Sequence, residues 1–377
     1  MIHNYKEIKN NMVLYEENLS NYACHSKDAI REFDEKNKDF RNEFERDIDK
    51  IIYSLSYTRY IDKTQVYSSR YNDNISRRMT HVQYVSRISR TIARALKLNE
   101  DLCEAIALGH DIGHVPYGHE GEYILNDISK EKLNKCFAHN LQSVRNLMTI
   151  ENNGLGINLS LQTLDGIMAH NGEILQDEYK PIKKTKEEFL KEYELCFKDD
   201  KNIKRVRPMT LEGCVVRISD IISYIGRDIE DAIRLNFLKI EELPEDITSI
   251  LGTTNSKIIN TIINDVVENS YGKDYITMSK KVYDSMLCLK KFNSENIYKK
   301  AMTDKERENI RLKFNFLYNV YFDAIKIKDL SNSIYVDFLN HMDKKYLNCS
   351  TDGEKVIDFI SGMTDNYFER EYKNYCK

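Results

Sequence analysis

Helical periodicity constrains this chain more than any other feature of its sequence. Apolar residues recur every three or four positions through long segments rich in Lys, Glu, Ile, Leu and Asn, without sustained two-residue alternation. Only four prolines and fourteen glycines interrupt the 377 residues. We therefore predict an all-α fold. The predicted helices of the central part cover residues 81–98, 102–110, 120–128, 138–150, 159–170 and 211–235.

The same pattern divides the chain into three regions. The predicted boundaries are 1–80 for an N-terminal helical segment, 81–240 for a core and 241–377 for a helical C-terminal region. Residues 53–80 lack a clean period and are expected to form a loop or a short hairpin. Residues 174–208 are strongly charged, so we expect a solvated insertion there, with a short helix around 186–197.

Composition excludes several classes of protein. The net charge is −4, from 56 basic and 60 acidic residues. No overall basic field therefore favours the binding of nucleic acid. Nucleic acid stays open only as a regulator. No apolar run reaches the eighteen residues that would span a bilayer. The eight cysteines form no C-x-x-C pair, and the N-terminus does not resemble a signal peptide. We expect buried thiols and a cytoplasmic protein without a membrane partner.

Histidine is clustered in the central part of the chain. Six of the nine histidines lie between positions 81 and 170, whereas the last two hundred or so residues contain only His341. The stretch "ALGHDIGHVPYGHEGE" at 107–122 alone holds three histidines, two glutamates and an aspartate. This clustering of side chains that bind metals or transfer protons indicates a functional site.

Two of these histidines and two carboxylates are predicted to face the helical core. His81 shares a helical stripe with Val85 and Ile88, and His110 shares one with Leu102 and Ile106. Val216, Asp220, Tyr224 and Asp228 share a third. A lone inward histidine is more often a hydrogen-bonded core residue, but a buried carboxylate needs a partner. The joint pattern favours a divalent metal held by His81, His110, Asp111 and Asp220, with Mn, Fe, Co, Ni or Zn suited and Mg less so.

Several motifs in this chain resemble known families. The order of His81, His110-Asp111 and Asp220 resembles the HD-domain metal-dependent phosphohydrolases. "EAIALGHDIGHVPYGHEGE" is similar to the signature of the deoxyguanosine triphosphate triphosphohydrolase family, and further similar stretches are "YIDKTQVY", "RRMTH", "FAHNLQSVRNL", "DIISYIGRDIEDA" and "FISGMTDNYF". The resemblance spans most of the chain and implies an HD-domain helical core with a helical C-terminal extension. Arg227 departs from it, because the family usually has histidine there.

The resemblance implies an enzyme that hydrolyses deoxynucleoside triphosphates, either dGTP or a broader range. The family breaks the bond between the 5′ oxygen and the α-phosphorus and releases deoxynucleoside and tripolyphosphate. One divalent metal ion per active site would be held by His81, His110, Asp111 and Asp220. Relatives assemble into homo-oligomers, often hexamers.

The resemblance also assigns roles to further residues. His119 and Glu122 match a proton-transfer pair, and His139 matches a histidine beside the α-phosphate. The residues that would bind the substrate are Arg78 and His114 on the phosphates, Gln65 and Asp228 on the sugar 3′-hydroxyl, and Tyr224 under the deoxyribose. Gln65 lies in the loop that ends the N-terminal segment, which is therefore expected to bind the sugar.

Two alternatives to this function stay open. The first is another HD phosphohydrolase, such as a 5′-nucleotidase or a cyclic-nucleotide phosphodiesterase. The second is a nucleotide sensor without catalysis. The sequence leaves open the preferred base, the native metal, nucleotide activation and the oligomeric state. It also leaves open whether His170 and Glu173 line the pocket or support the fold.

Overall fold

A computed structural model describes residues 2–35, 39–66, 74–171 and 174–376 of an all-α protein, which confirms the predicted fold class. The helices are α1 (Ile2–Glu17), α2 (Glu43–Ile52), α3 (Leu55–Thr58), α4 (Arg78–Leu96), α5 (Glu100–Gly109), α6 (Gly118–Leu133), α7 (His139–Arg145), α8 (Glu151–Gly154), α9 (Leu161–Ala169), α10 (Lys186–Cys196), α11 (Asp200–Arg205), α12 (Leu211–Ile225), α13 (Arg227–Arg234), α14 (Glu245–Leu251), α15 (Asn255–Ser270), α16 (Lys280–Asn296), α17 (Asp304–Ile327), α18 (Ser333–Val336), α19 (Lys344–Cys349), α20 (Asp352–Ser361) and α21 (Asp365–Tyr375).

Short irregular turns and two strands connect these helices. A π-helical turn at Asn146–Ile150 continues α7. Single 3₁₀ turns lie at Ser26–Asp28, Arg59–Asp62, Ile240–Glu242, Tyr298–Lys300 and Leu339–His341. The strands β1 (Glu178–Tyr179) and β2 (Ile276–Thr277) pair antiparallel, with Tyr179 opposite Ile276. They join the charged segment after α9 to the C-terminal half of the chain.

The described residues form two hydrophobic cores, and α6 belongs to the second of them. The larger core packs α4, α5, α9 and α12 together through side chains such as Val85, Ile106 and Ile218. The second core packs α6 against α17 and α20, with Leu125 and Phe314 fully buried. Because α6 begins within the histidine-rich motif, the C-terminal helices support that motif directly.

The predicted helix over 211–235 is divided into α12 and α13 at Gly226. A Cβ atom on Gly226 would lie 2.5 Å from Oδ1 of Asn255. Asn255 begins α15, so a side chain at position 226 would require the Asn255 side chain to move. The division lies between Asp220 on α12 and Asp228 on α13.

The charged segment at 174–208 is not wholly solvated, contrary to the prediction. The predicted short helix is present as α10, which begins with a capping box formed by Thr185 and Glu188. However, Phe189 and Cys196 from this helix are buried in the larger core. The charged residues therefore cover one face of the helix, and the apolar residues anchor the other.

The stretch at 53–80, predicted as a loop or a short hairpin, is helical at 55–62 and from 78, and irregular at 63–66 and 74–77. The described residues contain α3, the turn Arg59–Asp62 and one antiparallel bridge between Thr64 and Arg77. All eight cysteines are free, but Cys288, Cys349 and Cys376 are exposed, so the expected burial is wrong for these three. No helix in the described ranges combines the length and apolar character needed to cross a bilayer.

Candidate metal centre and nucleotide site

Three helices bring the four predicted metal ligands together. His81 lies on α4, His110 and Asp111 follow the last residue of α5, and Asp220 lies on α12. Nε2 of His81 is 3.0 Å from Oδ1 of Asp220 and 3.7 Å from Oδ2 of Asp111, and Nε2 of His110 is 3.4 Å from Oδ1 of Asp111. All four residues are buried. These positions suit the predicted role as ligands.

Hydrogen bonds fix the orientation of both imidazole rings. Nδ1 of His110 lies 2.7 Å from the carbonyl oxygen of Ala107, so it must donate a proton. The Ser223 hydroxyl donates to the carbonyl oxygen of Asp220 and accepts from Nδ1 of His81. Nε2 of His110 therefore carries a lone pair that faces the carboxylates, and Nε2 of His81 faces them as well, as in metal sites whose histidines are oriented by a second hydrogen bond.

The electrostatics of this cluster fit a divalent cation. Burial raises the pKa of Asp220, but its hydrogen bond with His81 and the charges of His81 and His110 outweigh burial and lower the pKa to about 2. Burial lowers the pKa of His110, which favours the neutral ring. Nε2 of His110 is buried and has no hydrogen-bond partner among the described residues. A lone pair left in this state beside two carboxylates is suited to a metal ion.

The second half of the motif forms a chain of His119, Glu122 and His139. Nδ1 of His119 lies 3.4 Å from Oε2 of Glu122, and Nδ1 of His139 lies 2.8 Å from Oε1. The backbone N–H of His139 also donates to Oε1 at 2.7 Å. Burial raises the pKa of Glu122, but His139 and His119 outweigh it and lower the pKa well below its usual range. An ionised Glu122 therefore orients both rings.

The two predicted phosphate ligands have different surroundings. His114 stacks on the His139 ring, with 3.9 Å between the ring centroids. Burial lowers the pKa of His114 well below its usual range, helped by the charge of Arg78. His114 is therefore neutral, and it suits a hydrogen bond to phosphate better than an ion pair. Arg78 stays charged, with Nη1 bound to Asp111.

His170 lies in the same cluster. The sequence had left open whether this residue lines the pocket or supports the fold. Its Nε2 lies 3.0 Å from Nε2 of His139, and its Nδ1 donates to the carbonyl oxygen of Ile167. Burial and the neighbouring His110 and His139 lower the pKa of His170 to about 3. Glu173 lies outside the described residues.

The predicted sugar-binding residues lie among partners that the sequence did not reveal. Asp228 accepts a hydrogen bond from the Tyr298 hydroxyl at 2.7 Å, and the Tyr224 hydroxyl accepts one from Nζ of Lys290 at 2.6 Å. Burial raises the pKa of Asp228 to about 7, with a smaller contribution from Asp231. Oε1 of Gln65 is buried and lacks a hydrogen-bond partner within the described ranges.

Lys290 and Tyr298 are functional candidates that sequence reasoning missed. Lys290 lies on α16 and Tyr298 begins the 3₁₀ turn that follows it, about seventy residues after Tyr224 and Asp228 along the chain. Both belong to a helical segment that was assigned no part in the site. Their residue types carry no signal, because only the packing of α16 on α12 brings them close.

Residues of the C-terminal motif contact the histidine-rich motif at 107–122. Asp365 accepts hydrogen bonds from the backbone N–H of Tyr117 at 3.1 Å and of Thr64 at 3.3 Å. The buried Lys63 donates to the carbonyl oxygens of His114 and Ser361. Residues from three distant motifs are therefore joined around one turn, in which Tyr117 has a positive φ of 63°.

Arg227, where the chain departs from the expected histidine, faces the segment before α4. Its Nε donates to the Ser76 hydroxyl at 2.7 Å, and its Nη2 lies 3.3 Å from Asp231. The backbone N–H of Ser76 donates to the same carboxylate of Asp231. Arg227 therefore fastens the segment before Arg78 to α13.

The fold and the His–Asp cluster define an HD-domain phosphohydrolase. The HD domain family matches residues 78–225, and the phosphohydrolase-associated domain family matches residues 276–374. A deoxyguanosinetriphosphate triphosphohydrolase-like protein of Caldanaerobacter subterraneus subsp. tengcongensis is 37% identical over 94% of this chain and 91% of its own length. A protein of the same description from Clostridium perfringens is 36% identical over 98% of this chain and 95% of its own length. The chain belongs to this deoxyguanosinetriphosphate triphosphohydrolase-like family of hydrolases.

Proposed function

We propose that this protein hydrolyses deoxynucleoside triphosphates, dGTP or a broader range, to deoxynucleoside and tripolyphosphate. The observation that carries the proposal is the position of the His119–Glu122–His139 chain against the four candidate metal ligands. Nε2 of His139 lies 3.9 Å from Oδ1 of Asp111, so one carboxylate faces both groups. A bound phosphoryl group would meet metal ligands on one side and proton-transfer groups on the other.

His81, His110, Asp111 and Asp220 would hold one divalent ion. When bound, this ion supplies charge neutralisation for the α-phosphoryl oxygens and favours ionisation of the attacking water. Its identity is left to experiment, since mixed nitrogen and oxygen ligands suit Mn, Fe, Co, Ni and Zn, and Mg less well.

The proton-transfer step is assigned to His119. Glu122 contacts Nδ1 of His119 and fixes the proton there, so proton exchange with the reacting oxygen takes place at Nε2. The side chain of His119 is 47% exposed, which allows a substrate to reach it. His139 is held by the same carboxylate and is assigned a position beside the α-phosphate.

Substrate binding is assigned to two groups of residues. Arg78 and His114 bind the phosphates, because both lie beside Asp111 and Arg78 keeps its charge. Gln65 and Asp228 bind the 3′-hydroxyl, and the Tyr224 ring packs under the deoxyribose. Two further residues, Lys290 and Tyr298, orient Tyr224 and Asp228 through their hydrogen bonds.

A product analysis tests this function. Purified protein is incubated with each of the four dNTPs and each candidate metal, and tripolyphosphate and deoxynucleoside are measured. Release of both in equal amounts supports the proposal. Orthophosphate from a nucleoside monophosphate, or opening of a cyclic nucleotide, would favour another HD phosphohydrolase. Nucleotide binding without turnover under every metal would favour a sensor.

The remaining expectations are proposals about the whole protein. We propose a homo-oligomer, to be measured by light scattering on the purified chain with and without nucleotide. The three regions 1–80, 81–240 and 241–377 are proposed as its organisation, although the second core joins α6 to the last region. A cytoplasmic location and a regulatory nucleic acid are further expectations for experiment.

A further inference from the structure

Asp365, the first residue of α21, binds two segments of the candidate site at once. Its Oδ2 accepts hydrogen bonds from the backbone N–H of Thr64, at 3.3 Å, and from the Thr64 hydroxyl. Its Oδ1 accepts one from the backbone N–H of Tyr117 at 3.1 Å. The first segment continues into Gln65, which is assigned to the sugar, and the second into His119, which is assigned to proton transfer. One carboxylate therefore joins the segments that carry these two side chains.

The turn before His119 has a backbone conformation that needs such support. Tyr117 lies in the left-handed region, with φ of 63° and ψ of 20°, which a residue with a Cβ atom adopts only at a cost. Its ring packs edge-on against Phe368, with 5.7 Å between the ring centroids, and its hydroxyl donates to Glu369. The helix α21 therefore holds this turn through the backbone, by Asp365, and through the side chain.

The two segments also touch each other directly. A Cβ atom on Gly118 would lie 3.3 Å from the carbonyl oxygen of Gln65 and 3.4 Å from Nη2 of Arg78. The backbone N–H of Arg78 donates to the carbonyl oxygen of Lys63 at 3.3 Å. The segment of Gln65, the turn before His119 and the guanidinium assigned to the phosphates are therefore in contact.

We propose that Asp365 is a positioning residue, which sets the position of the sugar ligand Gln65 relative to the proton-transfer residue His119. It acts on the two segments through Thr64 and Tyr117. For a substrate that is held at both points, a misplacement of about 1 Å can cost about 100-fold in rate. This use in catalysis rests on the proposed function, whereas the arrangement of the two segments does not.

Hydrogen–deuterium exchange tests the positioning without any assay of activity. Asp365→Ala removes the acceptors of both segments, so peptides that contain Thr64 or Tyr117 should exchange about 10-fold faster, the factor that corresponds to one hydrogen bond. The control is Asp352→Ala. Asp352 is likewise the first residue of a helix that follows a threonine N-cap, and it is exposed.

Kinetics with two sugars tests the consequence for the site. Asp365→Ala should lower the ratio of kcat/KM between a deoxynucleotide and its 2′,3′-dideoxy analogue about 10-fold, because only the former has the hydroxyl assigned to Gln65. Thr64→Val, which removes the hydroxyl contact alone, should lower the ratio less, and Thr64→Ser should keep it. A loss of metal or of folded protein would lower both kcat/KM values and leave their ratio unchanged.

The outcomes separate this inference from the proposed function. Unchanged exchange in both peptides would overturn it, and so would faster exchange with an unchanged deoxy-to-dideoxy ratio. If the unaltered protein releases no tripolyphosphate, the proposed function fails, and the exchange alone decides the positioning. If circular dichroism shows that Asp365→Ala is unfolded, Thr64→Val replaces it in both measurements.

Discussion

Nη1 of Arg78 lies 2.5 Å from Oδ2 of Asp111, so the predicted phosphate ligand is bound to a predicted metal ligand. Nε and Nη2 of the same guanidinium are buried and have no hydrogen-bond partner among the residues that the structure describes. One side of the guanidinium therefore holds the carboxylate, and the other side presents donors to an anion. This division of donors is suited to a planar guanidinium and not to the single nitrogen of lysine.

We therefore expect Arg78→Lys to weaken substrate binding without loss of metal. Losing a charge-assisted hydrogen bond of about 1.5–3 kcal/mol should raise KM roughly 10- to 100-fold. Steady-state kinetics and elemental analysis measure the two effects separately. The control is Arg87→Lys, an exposed position on the same helix. An unchanged KM would remove Arg78 from the phosphate site.

His110→Ala and Asp111→Ala should each bind no metal at the candidate site. Removing one of four protein ligands leaves three, which bind the ion too weakly. An alanine at position 111 also removes the partner of Arg78. Elemental analysis after dialysis checks this result, with His341→Ala as the control. Full metal occupancy in either variant would contradict the ligand assignment.

His119→Ala should keep its metal and lose roughly two to four orders of magnitude in turnover, the usual scale for general acid–base groups. Because the His119 side chain is exposed, its replacement should change the stability of the fold little. Thermal unfolding of the variant measures this change. His119 lies at the start of α6, where Tyr123 offers an exposed control on the same helix, as Tyr123→Ala. Turnover close to that of the unaltered enzyme would show that His119 does not transfer the proton.

Asp228→Ala and Tyr224→Ala should change sugar selection in opposite ways. A site that hydrogen-bonds a hydroxyl leaves its groups unpaired when the hydroxyl is missing, at about 1–3 kcal/mol each. The unaltered enzyme should therefore hydrolyse 2′,3′-dideoxynucleotides poorly. Asp228→Ala should shrink that penalty, and Tyr224→Ala should admit ribonucleotides. The measurement is kcat/KM for deoxy-, dideoxy- and ribonucleotides; equal values for the unaltered enzyme would contradict the sugar-site assignment.

Glu212→Gln should remove a pH dependence of stability. Burial raises the pKa of Glu212 from 4.5 to about 7. Between these values the folded protein keeps a proton that the unfolded chain has lost, so stability falls as pH rises from about 4.5 to 7. The full loss is at most about 3 kcal/mol.

Chemical denaturation at pH 5 and pH 8, with a chelator present, checks this expectation. The amide oxygen that Glu212→Gln introduces can still accept from the backbone N–H groups of Cys24 and Asn99, which Oε1 of Glu212 binds in the structure. The variant should therefore gain stability relative to the unaltered protein at pH 8 but not at pH 5. The exposed Glu245→Gln is the control. A parallel pH response of all three proteins would contradict the prediction.

The helical class and the residues of the motif at 107–122 can be predicted from the sequence alone. Helical periodicity is a local property, so α4, α5 and α12 follow from the spacing of their apolar residues. The inward faces of His81, His110 and Asp220 follow from the same spacing, because side chains four positions apart lie on one face of a helix. The structure places all three where this reasoning expected them.

The distant residues that complete the candidate site could not be predicted, because they meet only through tertiary packing. The contacts of Lys290 with Tyr224 and of Tyr298 with Asp228 depend on how α16 packs on α12. The meeting of His139 and His170 depends on the packing of α7 against α9. A local pattern specifies which face of a helix is buried, but the partner of that face is selected by the packing of the whole core.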